Sequence, residues 1–435
     1  MSDEVKKEAE GTAAAKSGGL GGEVVTLLKS NVREYMMYIV LAAIMIYFTI
    51  GSGGSFLGGR NITNLFKEAG HVAILAIGMT IILIIRHIDL SVGYVAGFSG
   101  AVAALLMTKG ISIGSLTINP VNEWVAILIV LVMGALIGLY QGTVVTKIGV
   151  PAFVTTLAGQ FIFRGLLLRT TAATGTIVIP DKRWVPKDFV GEVPANHFNQ
   201  LSNGYIPDIP LPFELPFRLH LLTVIIGVLM VLAFAWSQFR TRRNKLKYNF
   251  AVPSMPVFIL KLVFFAAVIM FFMILLAMYN GLPWVAVIIG VVLFLYNYVL
   301  NQTKLGRYVY GIGGNDQAAE LSGINVKRVT LYAFISMSTL AALAGVLFSS
   351  RLRSASPDTG SGFELDAIAS SYIGGVAVSG GIGRVTNTII GALIITSLTN
   401  GMNLMQINIS WQYIIKGIIF VIAVAFDVRT RQRAK

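Results

Sequence analysis

Few residues of this chain carry side chains that could do chemistry inside its apolar segments. Arg86, His87 and Asp89 stand together in the stretch RHIDLSVG, between the apolar runs HVAILAIGMTIILII and YVAGFSGAVAALLM. Glu364 and Asp366 stand at the start of another apolar run. Ionisable side chains in such places are typical of ion paths and proton relays, because an unpaired charge is costly in an apolar environment. The chemistry to consider is therefore ion, proton or solute transfer.

Metal, thiol and nucleophile chemistry find no support in the sequence. The chain has no cysteine, and its four histidines form no pair at helical spacing. No carboxylate pair and no nucleophile with a neighbouring base stands at catalytic spacing in the apolar runs, so we expect no catalytic residue, metal or cofactor. The phosphate-binding pattern G-x-x-x-x-G-K-[ST] is missing, because no lysine directly follows a glycine. We therefore expect neither a membrane-embedded enzyme nor an ATPase.

Long apolar helices must position the charged residues. The chain of 435 residues is 55% hydrophobic and 12% charged, with a mean hydropathy of +0.75. Continuous apolar runs of about 17 to 25 residues suit helices that cross a bilayer and not the alternating strands of a barrel. We predict an all-α, polytopic integral membrane protein with about 10–12 transmembrane helices, some of them broken or re-entrant. The runs are 35–50, 70–85, 91–107, 124–146, 151–169, 219–237, 257–279, 283–300, 328–348, 364–378, 385–405 and 411–427.

Positive charge gathers at the ends of these runs. The net charge of +14 could suggest a nucleic-acid partner, but the basic residues cluster in FRTRRNKLK and in the terminal RTRQRAK. The positive-inside rule explains such clusters better, so we expect membrane lipid and no nucleic acid around the chain. With a cytoplasmic amino terminus, alternate connections place one group of basic residues in the cytoplasm: Arg240, Arg242, Arg243, Lys245, Lys247, Lys304, Arg307, Lys327, Arg328 and the tail from Arg429.

Polar segments divide the chain. We expect a flexible cytoplasmic tail over 1–34, a transmembrane domain over 35–427 and a basic cytoplasmic tail over 428–435. Inside the domain, 170–218 is predicted to be an extracytoplasmic insertion and 301–327 a cytoplasmic loop. A docking surface and a lid are equally open interpretations of the insertion.

The stretch RHIDLSVG has two interpretations. In the structural one, Arg86 and His87 neutralise Asp89, and Asp89 or Ser91 caps the helix that begins near Val92. In the functional one, a broken helix leaves backbone groups facing the bundle interior, where a solute or a moving gate uses them. The two interpretations are compatible.

A second break is predicted in the run 364–378, which is short and interrupted by Gly374 and Gly375. Polar residues in or beside the spans are candidates for lining a solute pathway. Single polar residues in membrane helices often bond a neighbouring helix instead, and that alternative stays open. The candidates are Gln141, Thr155, Thr156, Gln160, Asn400 and Asn403.

The stretch LGRYVYGIGGNDQAAELSGINVKRV predicts a short helix at the surface. Asn315 suits the N-cap, Asp316 suits the first turn, and Gly323 can end the helix after about eight residues. On the cytoplasmic side, such a helix can fit a groove of a soluble partner. A connector that lies on the membrane surface is the alternative.

Four stretches together resemble one protein family. They are GMTIILIIRHIDLSVG, GVPAFVTTLAGQFIFRGLLL, LGRYVYGIGGNDQAAELSGINV and FELDAIASSYIGGVAVSGGIGRVTNTIIGALI. Their order and spacing resemble the membrane permease subunit of bacterial ABC importers for monosaccharides, in the ribose and xylose branch. The resemblance covers roughly 60–427, and the extra apolar pair around 219–279 is similar to the longer xylose or multiple-monosaccharide permeases.

The resemblance implies an ABC importer permease fold in the bacterial inner membrane, and sugar import by alternating access. It implies a cytoplasmic ATPase subunit, an extracytoplasmic sugar-binding protein and a permease homodimer as partners. Where the family has a helix break beside the pathway, this chain has Asp89, Leu90, Ser91 and Gly93, but RHI replaces the small residues that commonly precede this motif. The family's ATPase-coupling loop corresponds here to Gly306, Arg307, Gly314, Asn315, Ala318, Ala319, Gly323 and Ile324.

Two other transport functions stay open. An ABC permease for branched-chain amino acids or nucleosides shares the architecture and differs in cargo. An ion-coupled secondary transporter would use Asp89, although acidic residues are scarce in the apolar runs. The sequence does not identify the sugar.

Overall fold

A computed structural model describes most of the chain. Of the predicted segments, 1–31 of the amino-terminal tail, the final two residues and much of the insertion 170–218 lie outside the described residues. The described residues are 32–113, 116–172, 175–180, 197–209, 219–250 and 252–433.

Fifteen α-helices lie in this part of the chain. They are α1 Val32–Gly51, α2 Gly59–Ile84, α3 Val92–Thr108, α4 Glu123–Thr143, α5 Ala152–Thr171, α6 His197–Asn203, α7 Leu221–Lys247, α8 Met255–Ala277, α9 Trp284–Gln302, α10 Lys304–Gly314, α11 Asp316–Leu321, α12 Val326–Leu352, α13 Phe363–Ile373, α14 Val385–Leu404 and α15 Ile409–Arg433. A 3-10 turn, Ser55–Leu57, follows α1, and a π-helix, Val144–Ile148, continues α4. Two antiparallel strand pairs join β1 Ile111–Ile113 to β2 Leu116–Ile118 and β3 Ile177–Val178 to β4 Ser354–Ala355.

Most of the long helices are suited to a bilayer. Within the described ranges, seven are long and apolar enough to span it: α2, α4 with its π-helix, α7, α8, α9, α12 and α14. Shorter apolar segments lie in α1, α3 and α15. The other two predicted runs correspond to α5, which carries Arg164 and Arg169, and to α13, which has 11 residues. The prediction of an all-α polytopic membrane protein is confirmed.

The chain forms two compact units, and unit 1 is the smaller. It comprises 32–40, 57–63 and the described residues of 205–282. Its main feature is the antiparallel pair α7 and α8. The pair is closed at one end by His220, whose backbone nitrogen donates to the Ala277 carbonyl at 2.9 Å.

Unit 2 comprises 41–56, 64–204 and 283–433 of the described chain. Its central contacts join α12 to α3 and α4 through glycines. A Cβ atom on Gly345 would overlap the carbonyl oxygen of Ala96, and one on Gly138 would overlap the backbone at Phe334. Small residues of this kind let membrane helices approach closely.

The helices of unit 2 have two recognisable ends. At the basic end, 84–86, 310–316 and 379–383 meet, beside Lys304 and Arg307 of α10. At the opposite end, the Asn203 amide donates to the Ser350 carbonyl at 2.8 Å. We call these the basic end and the opposite end of unit 2.

Both predicted helix breaks are present. α2 ends at Ile84 and α3 begins at Val92, with Arg86 between them in the left-handed region at φ 64°. α13 ends at Ile373, and the chain stays non-helical until α14 begins at Val385. α13 therefore covers only part of the distance that a full spanning helix would cover.

Candidate translocation and coupling sites

The first polar site lies at the break between α2 and α3. The Asp89 Oδ1 atom accepts hydrogen bonds from the Ser91 backbone nitrogen at 2.9 Å and from the Ser91 hydroxyl at 2.7 Å. The Ser91 hydroxyl accepts in turn from the Gln141 amide at 2.8 Å. The three residues have no exposed surface, and Asp89 Oδ2 and Gln141 Oε1 have no hydrogen-bond partner among the described residues. Ser91 occupies the N-cap position of α3, as predicted, but its side chain makes no cap hydrogen bond to the helix.

The start of α13 meets the start of α3 at the same site. A Cβ atom on Gly93 would overlap both the Gly360 carbonyl and the Glu364 carboxylate. The Gln160 amide donates to Glu364 Oε1 at 3.4 Å, and Glu364 Oε2 has no partner in the described structure. A carboxylate in the first turn of a helix is favoured by the helix dipole. Two broken helices thus begin beside each other around buried polar groups.

Most of the predicted pathway residues come together here. Thr156 of α5 donates its hydroxyl to the Ile88 carbonyl at 3.3 Å, and Gly159 lies against Gln141 and Ser91. Thr155 is buried on the same helix, and Leu90 lies half-buried in the break. The break cluster, as we call this site, consists of Asp89, Leu90, Ser91, Gly93, Gln141, Thr155, Thr156, Gln160 and Glu364.

Asn400 and Asn403 lie at a different place. Asn400 donates to Glu68 Oε2 at 3.4 Å, and the Asn403 side-chain oxygen accepts from the Gln412 amide at 2.9 Å. Glu68 and Gln412 both line a cavity of about 450 Å³ that is bordered by α2, α12, α13, α14 and α15. The two asparagines therefore contact residues that line the cavity but do not line it themselves.

Two ion pairs lie in the lining of this cavity. Arg351 lies 3.6 Å from Glu68, and the Lys416 ammonium lies 3.1 Å and 3.2 Å from the two oxygens of Asp366. Ionisable groups in membrane proteins commonly face a bundle interior or a water-filled cavity and pair with each other. We call this site the paired-charge cavity. Sequence reasoning missed Glu68, Arg351 and Lys416, because single charges near the ends of apolar runs do not reveal their partners.

Arg86 is directed away from Asp89. Its guanidinium donates to the carbonyls of Gly313 and Ser379, each at 2.9 Å, and to the carbonyl of Gly314. It also lies 3.9 Å from Asp316. The interpretation in which Arg86 neutralises Asp89 is therefore wrong. The side chain instead joins the end of α2 to the start of α11.

The predicted surface helix is α11, and it has six residues where we expected about eight. The Asn315 side chain accepts from the Ala318 backbone nitrogen at 2.9 Å, which confirms the predicted N-cap. Gly323 follows the helix at φ 82°, a conformation that favours glycine. Ala319 is buried and Ala318 is exposed, while Leu321 presents 91% of its surface. A capped, exposed helix with one large apolar side chain suits a groove on another protein.

The remaining predicted coupling residues surround α11. Gly306 is buried in α10, and Arg307 and Gly314 lie on the same helix with exposed surface. Ile324 follows α11 and is half-buried. The structure thus places these residues in one region at the basic end.

Spanning helices with two breaks, a cavity lined by two ion pairs and an exposed surface helix are typical of a membrane transport protein of the permease class. The sequence pattern of the family described as "Branched-chain amino acid transport system / permease component" matches residues 61–424. The chain belongs to this family.

Individual relatives are similar over nearly the whole chain. The xylose transport system permease protein of Haemophilus influenzae is 35% identical over 93% of this chain and 99% of its own length. The protein of the same name from Escherichia coli K12 is 35% identical over 97% of both chains. The ribose import permease protein of Escherichia coli K12 is 32% identical over 89% of this chain and 92% of its own. No solved structure matches the chain. The resemblance to the ribose and xylose branch is confirmed.

Proposed function

We propose that this chain is the permease subunit of an ATP-driven ABC importer that carries a monosaccharide across the bacterial inner membrane. The names of the relatives, which specify xylose and ribose, support the class of cargo. ATP is hydrolysed by a separate subunit, and the permease moves the sugar by alternating access.

The observation that carries the proposal is the exposed helix α11. Asn315 caps the helix, and its outer face is accessible, since Leu321 presents 91% of its surface. Lys304, Arg307, Lys327 and Arg328 flank it, and the positive-inside rule assigns this end to the cytoplasm. A cytoplasmic ATPase subunit therefore has access to it.

The opposite end then faces the outside, where a sugar-binding protein delivers cargo. Residues 175–180 and 197–204 of the insertion lie at this end, since β3 pairs with β4 directly after α12 and Asn203 of α6 bonds Ser350. A homodimer with a second copy of the chain completes the proposed assembly. In alternating access, the two helix breaks supply the bending points, because broken helices at a binding site are a recurrent feature of transporters.

Coupling is tested by Leu321→Asp in the chain co-expressed with its ATPase subunit. A charged side chain in an apolar groove is expected to weaken co-purification at least tenfold, or by about 1.4 kcal/mol. The matched control is Leu352→Asp. Leu352 is also exposed, but it is the last residue of α12 and lies at the opposite end. Unchanged ATPase binding and uptake in Leu321→Asp would contradict this assignment of α11.

A further inference from the structure

The paired-charge cavity is not used by the coupling contact, and we propose that it binds the monosaccharide during its passage. This inference rests on the proposed function, because it names the place where the importer's cargo is held. The volume of about 450 Å³ falls within the roughly 300–1,000 Å³ of small-molecule pockets. Arg351 at the end of α12 and Ile409 at the start of α15 place the cavity near the opposite end. That is the end from which an importer receives its cargo.

The charges of the cavity favour a neutral ligand. Glu68 is paired with Arg351, and Asp366 is paired with Lys416, so the four side chains contribute no net charge. A cation or an anionic group would have to compete with an ion pair that already exists. Taking one partner away from a desolvated ion pair costs several kcal/mol. A ligand without charge avoids that cost.

A sugar can use the hydrogen-bonding capacity that the ion pairs leave. An ammonium has three donors, a guanidinium has five, and each carboxylate oxygen accepts more than one bond. Hydroxyl groups both donate and accept, so they can bond either member of a pair without breaking it. Two amides from α14 support this arrangement, since Asn400 bonds Glu68 and Asn403 bonds Gln412.

An aromatic wall matches the apolar face of a sugar ring. The rings of His71, Phe348 and Phe363 form a triangle: the His71 centroid lies 4.9 Å from Phe348 and 4.6 Å from Phe363, and the two phenylalanine centroids are 4.9 Å apart. All three residues line the cavity. Aromatic faces carry partial negative charge and attract the weakly positive C–H groups of a pyranose ring. Ion pairs on one side and rings on the other thus fit a polyhydroxylated ring of small size.

The absence of cysteine from the chain gives a direct test. Thr399 lines the cavity and is half-buried, so Thr399→Cys introduces a single thiol with little change in volume. The assembled transporter in lipid is treated with a small, water-soluble thiol reagent, with and without D-xylose or D-ribose, whichever it takes up. The sugar is expected to slow modification severalfold. The control is Ser55→Cys, an exposed residue outside the cavity, where no slowing is expected.

A charged analogue and a double variant sharpen the result. An aldonic acid with the same number of carbons is expected to protect Thr399→Cys less than the sugar does. Asp366→Asn combined with Lys416→Gln keeps the cavity neutral while it removes the ion pair. This double variant is expected to raise the KM for uptake severalfold and to leave ATPase binding unchanged.

The inference is overturned if the sugar leaves the modification rate of Thr399→Cys unchanged while ATP-dependent uptake continues. In that case the proposed function stands without this site. Stronger protection by the aldonic acid than by the sugar would also overturn it. Loss of ATPase association in the unaltered chain would instead refute the proposed function.

Discussion

The Asp89 carboxylate accepts its hydrogen bonds from within its own turn. One oxygen accepts both bonds from Ser91, and the other has no partner in the described structure. An ion-coupled transporter would need this carboxylate to bind and release a cation. An ATP-driven permease needs only the shape of the turn.

Asp89→Asn separates these two roles. The amide oxygen of asparagine can accept both bonds from Ser91. The turn is therefore expected to persist, and the free energy of unfolding is expected to fall by about 1 kcal/mol or less. ATP-dependent sugar uptake by the assembled transporter is therefore expected to continue. Uptake that instead follows an ion gradient, and disappears in Asp89→Asn, would favour the ion-coupled alternative.

Gly93 allows the two broken helices to meet. A Cβ atom there would overlap Gly360 and Glu364, so Gly93→Ala is expected to destabilise the chain by roughly 1–3 kcal/mol through overpacking. Gly165→Ala is the matched control, because Gly165 lies inside α5 with open space around it. Thermal unfolding in detergent is expected to show a lowered midpoint for Gly93→Ala only. Equal midpoints would mean that the first turns of α3 and α13 can move apart without a loss of stability.

At the scale of elements, the breaks were predictable and their partners were not. Charged residues and paired glycines interrupt apolar runs in the sequence, and the structure has breaks at those places. The gathering of Asp89, Gln141 and Glu364 depends on which helix faces which, and apolar periodicity is weak when helices are apolar on all sides. For the same reason, the pairs around the paired-charge cavity were not found.

Arg86 joins three elements at the basic end. It reaches Gly313 and Gly314 at the end of α10 and Ser379 in the segment before α14. The Gly381 backbone nitrogen also donates to the Ile84 carbonyl at 2.9 Å, beside the same junction. Through these contacts, we expect motion of α11 to reach the end of α2 and the break that follows it.

Arg86→Gly tests this connection. Glycine adopts the left-handed backbone at no steric cost, so the variant removes the side chain and keeps the conformation. We expect the free energy of unfolding to fall by about 1.5–3 kcal/mol. This is the value of only one hydrogen bond to a charged group, because the arginine is half exposed. ATP hydrolysis is expected to continue while sugar moved per ATP falls. Arg86→Lys is expected to keep part of the coupling, and full coupling in Arg86→Gly would contradict the role.

At the scale of the whole molecule, hydropathy and charge predicted the class of protein correctly. Seven spanning helices and three shorter apolar ones in the described residues agree with twelve apolar runs, of which α5 and α13 are the weakest. The division into two units was not predicted, although the extra apolar pair around 219–279 lies in unit 1. Membrane orientation follows from the placement of lysine and arginine, and it decides whether α11 can reach an ATPase.

Orientation is measurable with two single thiols, since the chain itself has none. Ser322 lies next to α11 at the basic end, and Ser55 follows α1, whose last residue Gly51 lies against Met405 after the far end of α14. Both serines are exposed. With the basic end in the cytoplasm, an impermeant thiol reagent added to spheroplasts is expected to label Ser55→Cys at once and Ser322→Cys only after permeabilisation. Expression without the ATPase subunit keeps Ser322→Cys uncovered. The reverse pattern would place α11 outside the cell, where no ATP-driven motion could reach it, and the importer mechanism would fail.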